Sequence, residues 1–241
     1  MKLPTFTLLA LLLFTYSTHA QNALAFDGID DFIQTDFEGI LNTSERTFEA
    51  WIYILDGTES SNMAILDHGN NETGSRNTFS VDTAQAKLRY ISGGNNANLS
   101  SAENSIPIEE WFHVAFVYQD SIGYFFVNGL EVASGDLSAV NTPSNFGTVR
   151  IGQRVNGGNI PFKGGLDESR IWNVSRSQEE IQEYMNVEIC DEHPNLSFYM
   201  RFNQGNAQGD NQTINVALDE SDNANHGDLL NFVLTGMDQI G

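Results

Sequence analysis

The chain is 241 residues long and has one cysteine, Cys190. No internal disulfide can form, so a stapled mini-domain is excluded. CxxC and HExxH motifs are missing, and the 5 histidines are scattered. Zinc and thiol-redox chemistry therefore lack their usual ligand patterns. Cations are scarce as well, with 11 Lys and Arg against 32 Asp and Glu. A surface this acidic repels nucleic acid and anionic membranes, and it is compatible with cations and neutral ligands. The apolar run Leu8–Phe14 is too short to cross a bilayer, which takes roughly 20 residues.

That run follows Lys2 and precedes the small-residue sequence "STHA", the pattern of a cleaved signal peptide over residues 1–20. The expected mature chain, residues 21–241, keeps 10 cations against 32 acids, a net charge of −22. Export to the medium or the cell surface follows, with no membrane insertion after cleavage. Cys190 comes directly after "VEI" and reads as a buried small hydrophobe, the alternative being a free thiol that pairs between chains.

Short β-type runs separated by Gly, Asn, Asp and Ser dominate residues 23–202. In "RTFEAWIYIL", Phe48, Ala50, Ile52 and Ile54 face one side, and Glu49, Trp51 and Tyr53 the other. "EWFHVAFVYQ" is apolar on both faces, as in a strand between two layers. In "IGYFFVNGLEVAS" two apolar runs flank Asn128-Gly129, the dipeptide that favours a type I′ hairpin. One helix is expected, opened by a capping box of Ser177 and Glu180, with Ile181 and Met185 on one face. About a dozen strands at this spacing predict an all-β fold, a two-sheet antiparallel β-sandwich of the jelly-roll kind with one short helix. Residues 203–241 are rich in Asn, Asp and Gly and hold apolar islands such as "DLLNFVL". They read as a loop-rich segment closing a single domain over residues 21–241, because those islands need burial.

Four stretches carry a family resemblance. They are "ALAFDGIDDFIQ", "EEWFHVAFVYQDSIGYFFVNGLEVASG", "FKGGLDESRIWNVSRSQEEIQEYMN", and "LSFYMRFNQG" with "DESDNANHGDL". Together they resemble the laminin-G-like, concanavalin A-like jelly-roll domains of exported bacterial proteins. The Tyr-x-x-Phe-Asn element follows the helix here, whereas in many relatives it precedes the Phe-Asp-Gly strand. The same strands would then close the domain in a permuted order. The resemblance implies non-catalytic binding of a carbohydrate or glycoconjugate, with calcium as a structural or bridging ion. Alternatives of other classes are a protein-binding adhesion or scaffold module and an accessory domain related to glycoside hydrolases.

Candidate site residues fall into three groups. For catalysis, the superfamily's glycosidases use E-x-D-x-x-E, and the nearest match, "ESDNAN" (220–225), lacks the last acid. Asp167 and Glu168 are adjacent, so on a regular strand they point to opposite faces and cannot act together on one bond. His113 lies in a buried strand pattern and reads as core. For calcium, "FDGIDD" offers Asp27, Asp30 and Asp31 beside a glycine. Asp167 joins Asp27 if the first and late strands are neighbours; "DESDNAN" is a weaker acidic loop. For sugar stacking the candidates are Trp51, Tyr53 and Tyr90, each of which could equally fill the sandwich. Trp172 reads as core. The loops "HGNNETGSRN" and "SGGNNANLSS" suit recognition or plain solvation.

Overall fold

Alternation along the strands decides which side of each one is buried. A computed structural model describes residues 23–55, 62–94, 98–156, 158–206 and 209–235. The expected signal peptide, residues 1–20, lies outside the described residues. In chain order the first strands are β1 (Leu24–Asp27), β2 (Phe32–Thr35), β3 (Arg46–Ile54), β4 (Asn62–Asp67), β5 (Thr78–Asp82), β6 (Lys87–Ile91), β7 (Asn98–Ser100) and β8 (Trp111–Gln119). They are followed by β9 (Ile122–Val127), β10 (Leu130–Asp136), β11 (Arg150–Ile151), β12 (Lys163–Trp172), α1 (Gln178–Tyr184), β13 (Leu196–Met200), β14 (Val216–Ala217) and β15 (Gly227–Leu230). The first sheet runs β1-β12-β3-β8-β9-β10, and β13 also pairs with β12. The second runs β14-β15-β2-β11-β4-β5-β6-β7. Neighbouring strands are antiparallel, and the two sheets form a sandwich with one short helix among the described residues.

The core lies between the sheets. Phe48, Ala50, Ile52 and Ile54 of β3 all face it, as the alternation predicts, and meet Phe112, Val114 and Phe116 of β8. From the second sheet come Ile33, Leu66, Phe79, Val81 and Tyr90. The other face of β8 is covered by α1, whose Ile181 packs on Ala115, Val117 and Phe126. That explains why β8 is apolar on both sides. Burial of a side chain like Ile181 is worth about 1.5–3 kcal/mol. The capping box forms as expected, with Ser177 Oγ accepting from Glu180 N and the Glu180 carboxylate accepting from Ser177 N. Asn128 and Gly129 take φ of 48° and 72°, and Val127 pairs with Leu130 across that turn.

The last third of the chain completes both sheets. β13 extends the edge of β12 beyond β1, and β15 joins β2. The apolar islands thereby reach the core, with Ala217 and Leu234 both buried.

Two expectations are corrected here. Cys190 is exposed, not buried. Ile189 turns inward onto the cluster of Trp172, Leu196 and Tyr199, and the next residue points away from it. Asp167 and Glu168 do not sit on a regular strand either. Asp167 pairs with Trp51 and Arg170 with Glu49, so β12 holds one extra residue there, and Glu168 has φ of 50°. This is a β-bulge, which re-aims side chains locally.

Candidate functional site

The turn after β1 gathers acids. Gly28 has φ of 79°, and a Cβ there would lie 2.6 Å from Lys163 Cβ, so only glycine fits. Asp27 Oδ1 accepts from the amides of Ile29 (2.7 Å) and Asp30 (3.3 Å), and Asp31 Oδ2 accepts from Asp27 N (2.9 Å). One carboxylate oxygen from each of Asp27, Asp30 and Asp31 lies within 4.8 Å of the others. These are hard oxygen donors of the kind calcium takes, and a carboxylate that accepts one amide keeps further lone pairs. Carbonyls or water would have to fill the remaining positions.

Asp167 is not part of this group. β1 does pair with β12, but in a register that sets Asp27 opposite Lys163 and Leu24 opposite Leu166. Asp167 is therefore four residues farther along, about 13 Å at strand rise. The register therefore does not bring Asp167 to Asp27, and the carboxylates gathered near Asp27 are those of Asp30 and Asp31.

The bulge serves another purpose. Glu168 N donates to Asp167 Oδ1 at 2.8 Å. Burial, reinforced by the neighbouring Glu168 charge, pushes Asp167 up to about 7. Glu168 accepts from Arg170 Nη2 and from the Tyr199 hydroxyl. Arg170 also donates to the carbonyls of Tyr184 (2.9 Å) and Val187 (2.6 Å). Glu168, through Arg170, thus anchors the chain leaving α1 to the outer face of the first sheet, while Asp167 holds the bulge itself. Asp219 of "DESDNAN" has a similar task, accepting from the amides of Tyr199 (2.8 Å), Ser221 (2.9 Å) and Asn225 (2.7 Å). Glu220 pairs with Arg201 at 2.8 Å.

The aromatic candidates separate. Tyr90 has no exposed surface, stacks on Phe116 at 3.9 Å between centroids, and donates its hydroxyl to Asn77. It belongs to the core and offers no sugar platform, because it shares the inward face of β6 with Leu88. Trp51 is partly buried and donates Nε1–H to Met185 O at 2.6 Å, which ties it to the end of α1. Tyr53 lies beside Trp111, 5.7 Å between ring centroids, with both rings partly exposed.

A polar face emerges that no single sequence motif announces. Ile33, Ile151, Leu66, Phe79 and Tyr90 point inward in register across β2, β11, β4, β5 and β6. Their neighbours in sequence therefore point outward: Gln34, Arg150, Asp67, Thr78 and Arg89. Arg76, two residues before Thr78, joins them at the bridge Gly69–Arg76. The segment after β11 folds over this row. Val155 N donates to Asp67 Oδ2 at 2.8 Å, Asn156 O accepts from Arg76 Nη2 at 2.7 Å, and Arg154 O accepts from Arg150 Nη1 at 2.9 Å. Asp67 is fully buried and takes the Thr78 hydroxyl on Oδ1. Burial raises its affinity for a proton, although Arg76 and Arg154 oppose that. Arg150 lies over the Phe32 ring at 4.2 Å and donates to Gln34 Oε1. The sequence did hold one clue. Arg76, Arg89, Arg150 and Arg154 are four of only ten cations in residues 21–241.

Comparison with solved structures supports the fold. A Bacteroides ovatus protein provisionally assigned to carbohydrate binding superposes with a TM-score of 0.67 at 22% identity, over 87% of this chain. The chain spans only 58% of that protein's length. The CBM40 module of the Ruminococcus gnavus IT-sialidase, bound to α2,3-sialyllactose, gives 0.56 at 12% identity over 68% of this chain and 96% of the module. Domain 4 of AbnA, an extracellular arabinanase of Geobacillus stearothermophilus, in complex with arabinotriose, gives 0.51 at 17% identity over 67% of this chain and 75% of that domain. At these identities the likeness is one of fold. Residues 27–182 match the Laminin_G_3 family, and the chain therefore belongs to that branch of the concanavalin A-like lectin/glucanases superfamily.

Proposed function

We propose that the protein is a non-catalytic carbohydrate-binding module that works outside the cytoplasm. The observation that carries this reading is the outer face of the second sheet. It carries outward polar side chains on five adjacent strands, covered in part by Arg154–Asn156, with the guanidinium side chains of Arg89, Arg150 and Arg154 partly exposed. The neighbours bound to sialyllactose and arabinotriose share its sandwich and support the same class of ligand. In this reading Glu168 anchors Arg170, Asp167 braces the bulge, and neither takes part in bond cleavage. Calcium enters it as a structural ion held by Asp27, Asp30 and Asp31. Export rests on the N-terminal signal pattern.

The test is a glycan array probed with residues 21–241, followed by titration calorimetry on the best hits and an assay for released reducing sugar. Saturable binding without hydrolysis is expected. A blank array across neutral and charged glycans would overturn the reading, and reducing-sugar release would move it to the hydrolases.

A further inference from the structure

Part of the outer face of the first sheet stays uncovered. α1 and the chain after it lie over Glu49, Ala115, Val117 and Arg170, all of which are buried. Exposure returns at the same level on three neighbouring strands. Trp51 and Tyr53 of β3, Trp111 of β8 and Asp167 of β12 are all partly exposed. The cover reaches as far as Trp51, whose Nε1 donates to Met185 O at 2.6 Å. Beyond it one row crosses four strands, with Ala25 on β1, Gly165 on β12, Tyr53 on β3 and Trp111 on β8. Their neighbours Leu24, Phe26, Leu166, Ile52, Ile54 and Phe112 fill the core, so this row faces outward.

The Tyr53 and Trp111 rings stand 5.7 Å apart at 57°, which makes a shallow aromatic corner. On its other side Tyr53 meets no side chain from β12, because Gly165, itself buried, is its partner there. Gly164 must be glycine, since a Cβ would lie 1.9 Å from Tyr53 O. Gly165 has its φ outside the left-handed region, so its own backbone makes no such demand. A glycine of this kind inside a strand marks a place where another group approaches the sheet closely. Two residues on, about 7 Å at strand rise, Asp167 faces the same side. Its Oδ1 accepts from Glu168 N at 2.8 Å, which leaves Oδ2 to accept from a ligand. Two partly exposed rings fall far short of the roughly 800 Å² a side of a stable protein interface. Rings beside one well-placed acceptor are instead what a small polar molecule with an apolar face requires.

We propose that this corner is a second sugar-binding site, on the sheet opposite the arginine-bearing face. An uncharged pyranose lays its C–H face on Tyr53 above Gly165, meets the edge of Trp111 and donates a hydroxyl to Asp167 Oδ2. The nearby carboxylate disfavours an acidic sugar. A β-linked glucose unit, with its hydroxyls equatorial and its C–H bonds on both faces, has the shape required. The inference rests on the carbohydrate-binding reading and adds a site to it.

The experiment is titration of residues 21–241 with cellotetraose and with laminaritetraose, followed by calorimetry and by tryptophan emission. Sorbitol, which has the hydroxyls and no ring face, is the control. At least one tetrasaccharide is expected to bind and to shift the emission of the wild-type protein, while sorbitol does neither. Tyr53→Ala and Trp111→Ala should each weaken that binding about tenfold. Gly165→Leu keeps both rings, fills the space beside Tyr53 and should weaken it as much. The unfolding midpoint of each variant shows that it is folded, and the wild-type emission shift needs no variant. Tetrasaccharide binding untouched by all three substitutions would overturn the site, as would sorbitol competing as well as the sugar. Neither tetrasaccharide bound, with other glycans bound on the array, would sink this inference and leave the carbohydrate reading standing. No glycan bound at all would remove both.

Discussion

The carboxylate of Glu49 lies 3.3 Å from Nε2 of His113 across the β3–β8 pair, where neither side chain meets solvent. Arg176 Nε is 3.9 Å from the other oxygen. Burial alone would raise Glu49, but the hydrogen bond and charge of His113, with Arg170 and Arg176, hold it below its ordinary value. The network fixes the outer surface of the first sheet to the chain around α1, since Arg176 also stacks on Trp172 and Tyr184. Glu49→Ala leaves His113 and Arg176 buried without their anion, while Arg170 keeps Glu168, and should cost about 3–5 kcal/mol in urea unfolding. A depressed carboxyl contributes its stability above the unfolded value, 4.5, and loses it as pH falls through the folded one. Wild-type stability should therefore drop below pH 4.5 more steeply than that of the variant. A variant as stable as the wild type at neutral pH would show that the pair is dispensable.

Asp167 predicts the opposite slope. Its folded value is raised to about 7 from 3.8, so the native state favours the protonated form. That stability is complete below pH 3.8 and is lost as pH rises to about 7. Asp167→Asn keeps an acceptor for Glu168 N and removes the repulsion. It should gain on the order of 1–2 kcal/mol over wild type above pH 7, after discounting for partial exposure, and nothing at pH 3.5. Equal midpoints at both pH values would refute the shift.

Gly164 tests the register of β12. Its φ is 142°, and a Cβ there would sit 1.9 Å from Tyr53 O of the paired strand. Gly164→Ala forces two backbones apart and should cost about 2–4 kcal/mol, read as a lower denaturation midpoint. Gly165→Ala, at a position outside the left-handed region, serves as the control, with a smaller loss expected.

Calcium is checked by thermal unfolding in excess EDTA and then in millimolar calcium. A rise in midpoint is expected, abolished by Asp27→Ala and by Asp30→Ala and retained in Asp167→Ala, because the strand register separates Asp167 from the turn. An unchanged midpoint in wild type would remove the ion from the turn.

What the sequence determined by itself is local. The capping box at Ser177 and Glu180, the Asn128-Gly129 turn, the inward set Phe48, Ala50, Ile52 and Ile54, and the core position of Trp172 each depend on residues within one element. Propensity and period act at that range, so those features were legible. Tertiary structure decided the rest. The face with Gln34, Asp67, Arg76, Arg89, Arg150 and Arg154 draws on 120 residues of chain and exists only because β2, β11, β4, β5 and β6 are neighbours in that order. Alternation shows that Arg89 opposes Tyr90 across its strand, but not which strands lie beside it. One bulge residue re-aimed Asp167 and Glu168, and a register of four residues parted Asp167 from Asp27. Pairing register and sheet order come from distant side chains packing into a shared core, and a strand read alone carries no record of its partner.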